Sequence, residues 1–366
     1  MLCRRVFLAG LASIVARGSA IGQSPSGVDA AAVKACLAKA HAYLKTRQGE
    51  DGSIAPRLGG PGITAIAVAG LLRAGYPIDD PVVDRGLKYL ESKVQPDGGI
   101  YDKMLANYTT SLGVMAFKEV NAGGKYDAVI TKAGAFLKTM QAGGVPVNDP
   151  KYGGAGYDGQ SRPDTSNTQF FLEALLASGA SKDDAATKKA LAFLSRSQNL
   201  PGEFNDQAYA KKVSGDDRGG FVYNLSDADS DKSPKRTAAG GLRSEGGMTY
   251  AGLKSFLYAG VAKDDPRVKA AIDWIKRHYT LSENPGMGQA GLFYYYHTFA
   301  KAMTALGEDQ FEDAKGVKHD WKKELFETLK GKQRDDGSWS NPNKQFLEDN
   351  PDLATAFAML TLSYCR

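Results

Sequence analysis

Residues 163–168 read Pro-Asp-Thr-Ser-Asn-Thr and run straight into Gln169-Phe-Phe-Leu-Glu-Ala-Leu, a segment apolar enough to be an interior helix. Asp164, at the head of that helix, is held as a candidate acid. The plainer reading of Asp164 to Ser166 is an N-cap. His297 sits in Tyr294-Tyr-Tyr-His-Thr-Phe, the one histidine in an aromatic setting, and is the other candidate for proton transfer near neutral pH. His41, His278 and His319 fall on polar stretches that read as outer helices. Glu173 lies four residues after Gln169, on one helix face, and Glu245 also lies close to an apolar segment. Three loops place aromatics after glycines: Tyr152-Gly-Gly-Ala-Gly-Tyr-Asp158, Gly219-Gly-Phe-Val-Tyr223, and Gly288-Gln-Ala-Gly-Leu-Phe-Tyr-Tyr-Tyr-His297. Their rings could meet an apolar chain or a sugar, or could simply plug the end of a core. The expectation is that Tyr157, Tyr250, Tyr295 and His297 converge on one ligand, with Asp158, Asn167 and Glu173 contributing to the same site.

These residues must be held by a sizeable globular body. The chain has 366 residues, 42% hydrophobic and 24% charged, with 42 glycines. That excludes a disordered or collagen-like chain. The net charge of +5 falls to +2 without Arg4, Arg5 and Arg17, which does not favour nucleic acid. Residues 1–20 combine a basic start, an apolar stretch and a small-residue exit, so they predict an export signal cut after Ala20. Arg4-Arg5-Val6-Phe7-Leu8 is twin-arginine-like, which places the mature protein in the periplasm or outside the cell. The apolar run is too short to be a comfortable membrane span, and none is expected in the mature chain.

Cys36 and Cys365 are the only cysteines after the leader, so neither a Cys-based zinc site nor an interior thiol nucleophile is expected. The two are expected to stay unbridged, since packed helix axes lie about 8–10 Å apart. Asp227-x-Asp229-x-Asp231 looks like the start of a calcium loop, but Lys232 and Ala238 stand where glycine and glutamate are required. No metal or other cofactor is expected.

The organisation shows in punctuation. Gln48-x-x-x-Gly52-x-Ile54, Gln95-x-x-x-Gly99-x-Tyr101, Gln198-x-x-x-Gly202-x-Phe204 and Gln333-x-x-x-Gly337-x-Trp339 share one frame. Before each lies an amphipathic segment, and a more apolar one opened by Thr or Ser follows. Two degenerate copies, around Gln141 and Trp274, complete the series. The pattern predicts twelve helices in six hairpins: 28–47, 62–74, 81–93, 107–119, 127–141, 164–178, 183–197, 247–259, 265–279, 291–305, 310–331 and 352–365. The more apolar partners should form an inner ring inside an outer sheath. No polar capping repeat closes either end, so the ring is expected to close, with 28–47 beside 352–365. The fold class is therefore an all-α, (α/α)6 toroid over 28–366, with a long loop insertion at about 205–246.

This Gln/Gly/aromatic punctuation resembles the prenyltransferase/squalene-oxidase repeat, the "QW" motif of squalene–hopene cyclases and other terpene cyclases, with Gln333 to Trp339 the full match. The resemblance covers essentially residues 28–365 and implies an α/α toroid. It also implies where an acid would stand. Class II cyclases protonate an alkene through Asp-x-Asp-Asp-Thr, the middle carboxylate being the donor. Here Asp164-Thr-Ser-Asn-Thr168 keeps the frame, but Ser166 and Asn167 replace the two later carboxylates. Two sister branches are excluded. The zinc site of protein prenyltransferases needs an interior cysteine, and the thioester of complement-type toroids needs the cysteine that Gly286-Met-Gly-Gln289 lacks.

Three functions remain open from sequence. One is an exported toroid that binds or processes a polyprenoid or hopanoid-type lipid without the standard protonation. The others are a non-catalytic binding or scaffold toroid, and a polysaccharide lyase or hydrolase. Either a lipid-like or a carbohydrate ligand fits, and the sequence leaves both catalysis and oligomeric state open.

Overall fold

The computed structural model describes residues 27–366; the leader read at 1–20 lies outside them. Six outer helices are α1 (Ala30–Arg47), α4 (Pro81–Glu91), α6 (Asp127–Met140), α8 (Ala185–Arg196), α10 (Pro266–His278) and α12 (Trp321–Lys332). Each is followed by an inner helix: α3 (Gly62–Arg73), α5 (Ala106–Glu119), α7 (Thr165–Ala177), α9 (Gly246–Tyr258), α11 (Leu292–Leu306) and α13 (Pro351–Leu362). A single turn, α2 (Pro56–Gly59), precedes α3. Five outer helices start at an Asp cap, Asp29, Asp80, Asp184, Asp265 and Asp320, whose carboxylate accepts from first-turn N–H groups. The inner helices are buried on nearly all sides, because the ring packs them against two neighbours and the sheath.

Each inner helix packs on the next, and α13 returns to α3, so the ring is closed. α1 and α13 are neighbours too: Tyr43 Oη donates to Asp352 at 2.8 Å and Arg47 pairs with the same carboxylate at 2.9 Å. The repeat explains the closure. Gln48, Gln141, Gln198 and Gln333 each donate to the carbonyl of a glycine in the following loop and to a carbonyl near the start of the next outer helix. For Gln333 that second carbonyl belongs to Cys36 in α1, 297 residues away. The residue two beyond each turn glycine then donates its N–H to a buried inner-helix threonine at 2.8–3.0 Å. The pairs are Ile54 to Thr64, Ile100 to Thr110, Ala155 to Thr168, Phe221 to Thr249 and Trp339 to Thr355. The repeated threonines thus bind the preceding loop rather than capping their own helix.

Several sequence assignments shift. Gln95 bonds only local carbonyls, Lys93 and Tyr101, and the left-handed turn residue is Gly98, not Gly99, so Ile100 rather than Tyr101 is the buried follower. Gln198 bonds Gly219, not Gly202, because residues 199–218 intervene; Phe221 takes the buried place, while Phe204 is exposed beneath the Arg267 guanidinium. Gln141, which looked degenerate, is a full copy closed by Gly153. The helix expected at 310–331 starts only at Trp321. Before it, Phe311–Glu312 and Lys318–His319 form a two-stranded hairpin about a turn ending at Gly316, whose φ is +79°. His319 is therefore on a strand, stacked on Tyr279 at 4.0 Å.

The insertion at 205–246 has no α-helix but carries its own apolar cluster of Tyr209, Ala210, Val222, Leu225 and Leu242 on Phe193. Cys36 and Cys365 are buried and unbridged, and burial pushes the Cys365 thiol up to about 12. Among the described residues no helix is long and apolar enough to cross a membrane, and no cluster of His, Cys, Asp and Glu fits a metal ion.

Candidate functional site

All six inner helices open at the same mouth of the ring, where their first turns surround a cavity of about 320 Å³. This is the low end of the size range for small-molecule sites. α3 contributes Ile63, α5 Tyr108, α7 Ser166, α9 Met248, α11 Tyr294, and α13 Leu353 and Phe357. The α2 turn adds Leu58, and the loops add Leu105, Tyr157, Tyr223, Asn284, Met287, Phe346 and Leu347, so the lining is mostly aromatic and aliphatic. The rings form a chain: Tyr157 on Tyr108 at 6.0 Å, Tyr108 on Phe170 at 5.6 Å, Phe170 on Tyr294 at 6.1 Å and Tyr294 on Phe357 at 6.0 Å. Burial raises the phenols of Tyr157, Tyr223 and Tyr294 above the usual range, so at neutral pH they act as hydroxyls and not as bases.

The rim is strained. Leu105, Phe346 and Leu347 have φ of 60–62°, and Ala55, which caps the Leu58 turn, has 47°. These four are the described non-glycine residues with positive φ, and three of them line the cavity. Such strain concentrates where a loop is held in place for a ligand.

Two carboxyls reach the lining. Glu245 heads α9 and pairs with Lys235, from the insertion, at 2.5 Å. Glu348 accepts from the Tyr294 N–H at 2.8 Å and from Asn341 Nδ2 at 2.9 Å, closing the N-terminus of α11. Burial raises both, for Glu245 against the pull of Lys235.

The residues singled out from sequence scatter. Tyr157 lines the cavity. Ser166 lines it too, and donates from its Oγ to Tyr294 Oη at 3.0 Å. Asp164 lies behind that wall: its two oxygens accept from the N–H and Nδ2 of Asn167, both at 2.7 Å, and Asn167 is buried with it. Asp158 serves its own turn, accepting from Gln160 and Ser161. Tyr250 and Tyr295 do not face the cavity. They pack on each other and on Phe299 toward the outer layer, with Tyr295 Oη bonded to the Thr280 carbonyl. His297 lies deeper, between Phe170 and Phe357. Burial, then Lys301, push its affinity for a proton well below the usual range, so it is neutral. Glu173 is deeper still, in an ion cluster with Lys254 and Lys301.

Helical phase explains the misses. On α11 the lumen face is Tyr294, His297 and Lys301, at i, i+3 and i+7, whereas Tyr295 and Phe299 point to roughly the opposite side of the helix. The equivalent i, i+4 and i+7 spacing selects Ser166, Phe170 and Glu173 on α7. Tyr223 and Tyr294 were marked in sequence only as members of the glycine–aromatic loops, and Glu348 and Tyr108 not at all; phase identifies Tyr108 and Tyr294, while Glu348 had no local signal.

Asp164 has a testable signature. Burial raises its carboxyl to about 7, against the bonds from Asn167. A carboxyl raised on folding holds its proton longer in the native state, so its contribution to stability falls as pH climbs from about 4 to about 7. In Asp164→Asn that loss is removed, and Asn167 can flip to offer its partnerless Oδ1 to the new amide. The variant should match the parent near pH 4 and exceed it by up to about 4 kcal/mol at pH 8 in urea melts.

The closed all-α ring is consistent with the toroid of terpene cyclases. The squalene-hopene cyclase C-terminal domain family model matches residues 59–216, which include Tyr157, Asp164 and Ser166. The type II terpene cyclase MstE from Scytonema, without ligand, is 13% identical over 91% of this chain and 98% of that one, with a TM-score of 0.55. A tyrosine-to-phenylalanine variant of it is 13% identical over 92% and 97%, at 0.54. A further variant of that cyclase was solved with its substrate geranylgeranyl dihydroxybenzoate, at 14% identity, 92% and 97% coverage and a TM-score of 0.33. No curated protein sequence matches. Over residues 59–216 the chain is similar to the squalene-hopene cyclase C-terminal domain, and over nine-tenths of its length it shares the fold of type II terpene cyclases.

Proposed function

We propose that the mature protein works outside the cytoplasm and binds or processes a polyprenoid or hopanoid-type lipid in the aromatic cavity, without the protonation used by class II cyclases. The toroid over 28–366 is read as one domain, delivered by the twin-arginine-like leader at 1–20. One observation carries the reading: Ser166, where the superfamily resemblance would put the donor carboxylate, lines the cavity, while Asp164 is turned away from it. A hydroxyl cannot supply the strong acid that an alkene needs. The apolar lining and its chain of aromatic faces support a prenyl ligand.

The test is direct. Purified protein incubated with squalene or a linear diterpenoid diphosphate should give no cyclised product, yet geranylgeraniol should remain bound in native mass spectrometry. Tyr157→Ala and Phe346→Ser, at the exposed rim, should each weaken that binding about tenfold, as loss of a buried aromatic contact does. Cyclised product abolished by Asp164→Asn would overturn the reading. A second reading rests on the two cavity carboxyls, Glu245 and Glu348, which with the stacked rings suit a carbohydrate. Saturable binding of linear oligosaccharides, weakened by Glu245→Gln and without prenyl binding, would favour it.

A further inference from the structure

Below the aromatic mouth, toward the C-terminal ends of α3 and α5, is a second cavity of about 20 Å³. Arg73, Glu119, His297 and Lys301 line it together with Ile66, Leu112 and Leu360. Arg73 and Glu119 pair with each other at 3.5 Å and are partly exposed, so their charges are compensated and screened. Behind them the balance is different. Glu173 bonds both Lys254 Nζ, at 2.6 Å, and Lys301 Nζ, and none of these three side chains is more than 6% exposed. Gln169 Oε1 also accepts from Lys254 but brings no charge.

Two ammonium groups therefore share one carboxylate in the protein interior, and an uncompensated buried charge is costly. Either one lysine sheds its proton or an anion joins the cluster. The negative ends of the inner helices lie on this side and favour charged lysines. His297 adds a second, independent sign: it is fully packed between two phenyl rings, and its Nδ1 has no hydrogen-bond partner. A cavity of roughly 10–15 Å³ already holds one water, so this one admits a small ion.

We propose that this cavity is a binding site for a monovalent inorganic anion of about chloride size, held by Lys301 Nζ and the His297 ring N–H. Arg73 stands at its open side, and Glu119, engaged by Arg73, is the opposing charge. The anion completes the balance of the Glu173, Lys254 and Lys301 cluster. The site is separate from the aromatic cavity and does not depend on what binds there.

The probe is chloride, followed by thermal unfolding of the purified protein at pH 7. Exchanging gluconate for chloride at constant ionic strength should raise the Tm saturably, and bromide should do the same. Lys301→Met leaves a neutral Lys254–Glu173 pair and should lose the chloride effect while still folding. Should that variant not fold, His297→Phe keeps the stacking and the charges, and should weaken the chloride response at least tenfold. Bromide-soaked crystals should show an anomalous peak between His297 and Lys301. Equal Tm values in chloride and gluconate would mean the cavity holds only water, and an undiminished rise in Lys301→Met would mean surface adsorption. Either result overturns the proposal.

Discussion

Glu173→Gln is expected to destabilise the protein by about 3–5 kcal/mol, because it leaves Lys254 and Lys301 buried without the carboxylate they share. Burial pushes the Glu173 carboxyl upward, but Lys254 and Lys301 together overcome this and hold it far below the usual range. A carboxylate lowered on folding stabilises at every pH above its unfolded value near 4 and stops doing so as pH falls further. The lysines carry the opposite liability: burial lowers Lys254 to about 8, against the pull of Glu173. Below that value the native state bears the cost of the charge. Between about pH 8 and 10 the unfolded chain binds the extra proton, so stability should rise with pH. Lys254→Met should flatten this alkaline rise, and replacing all three residues with Leu or Met should recover most of what Glu173→Gln loses. Urea melts across the pH range check each step. Loss below about 1 kcal/mol in Glu173→Gln would mean that the lysines escape to solvent.

The same cluster shows what was legible in the sequence. Helix alternation and ring closure follow from apolar contrast and from the absence of polar end caps, and both need only local patterns. The chemistry of the lumen needs rotational phase. A charged residue inside an otherwise apolar helix, such as Glu173, Lys254 or Lys301, marks the lumen face, and counting three, four and seven residues from it leads to Ser166 and Tyr294. Choosing Tyr250 and Tyr295 by aromatic type alone selected rings that face the outer layer. Glu348 could not be found that way. It comes from a loop, 54 residues after the Tyr294 N–H it accepts from, and only the closed ring brings the two together. The helix expected at 310–320 failed for a local reason, since the turn ending at Gly316 lets the flanking residues pair as strands.

The repeat glycines give the sharpest contrast between pattern and geometry. The written motif makes Gly202 the turn glycine of the fourth copy, whereas the hydrogen bond from Gln198 assigns that place to Gly219. Gly219→Ala would put a Cβ 2.1 Å from the Ala270 carbonyl oxygen, which is helix backbone in α10 and cannot turn aside, at a φ of +95° that L-residues avoid. Strain and clash together should cost at least about 3 kcal/mol, and should loosen the seam between α8 and α10. At Gly202 a Cβ meets nothing within 4 Å, so Ala there carries only the strain of its φ of +150°, about 1–2 kcal/mol. Gly153 is a second case of the first kind, with its Cβ 1.9 Å from the Lys189 oxygen in α8, and Ala should be as damaging there. Equilibrium unfolding of the three variants orders them. If Gly202→Ala proved the worst of the three, the linear motif would locate the turn after all, and the insertion would be an ornament on it. The expected order instead makes residues 199–218 an addition inside the motif, tolerated because Gln198 still finds a glycine carbonyl and the next outer helix beyond it.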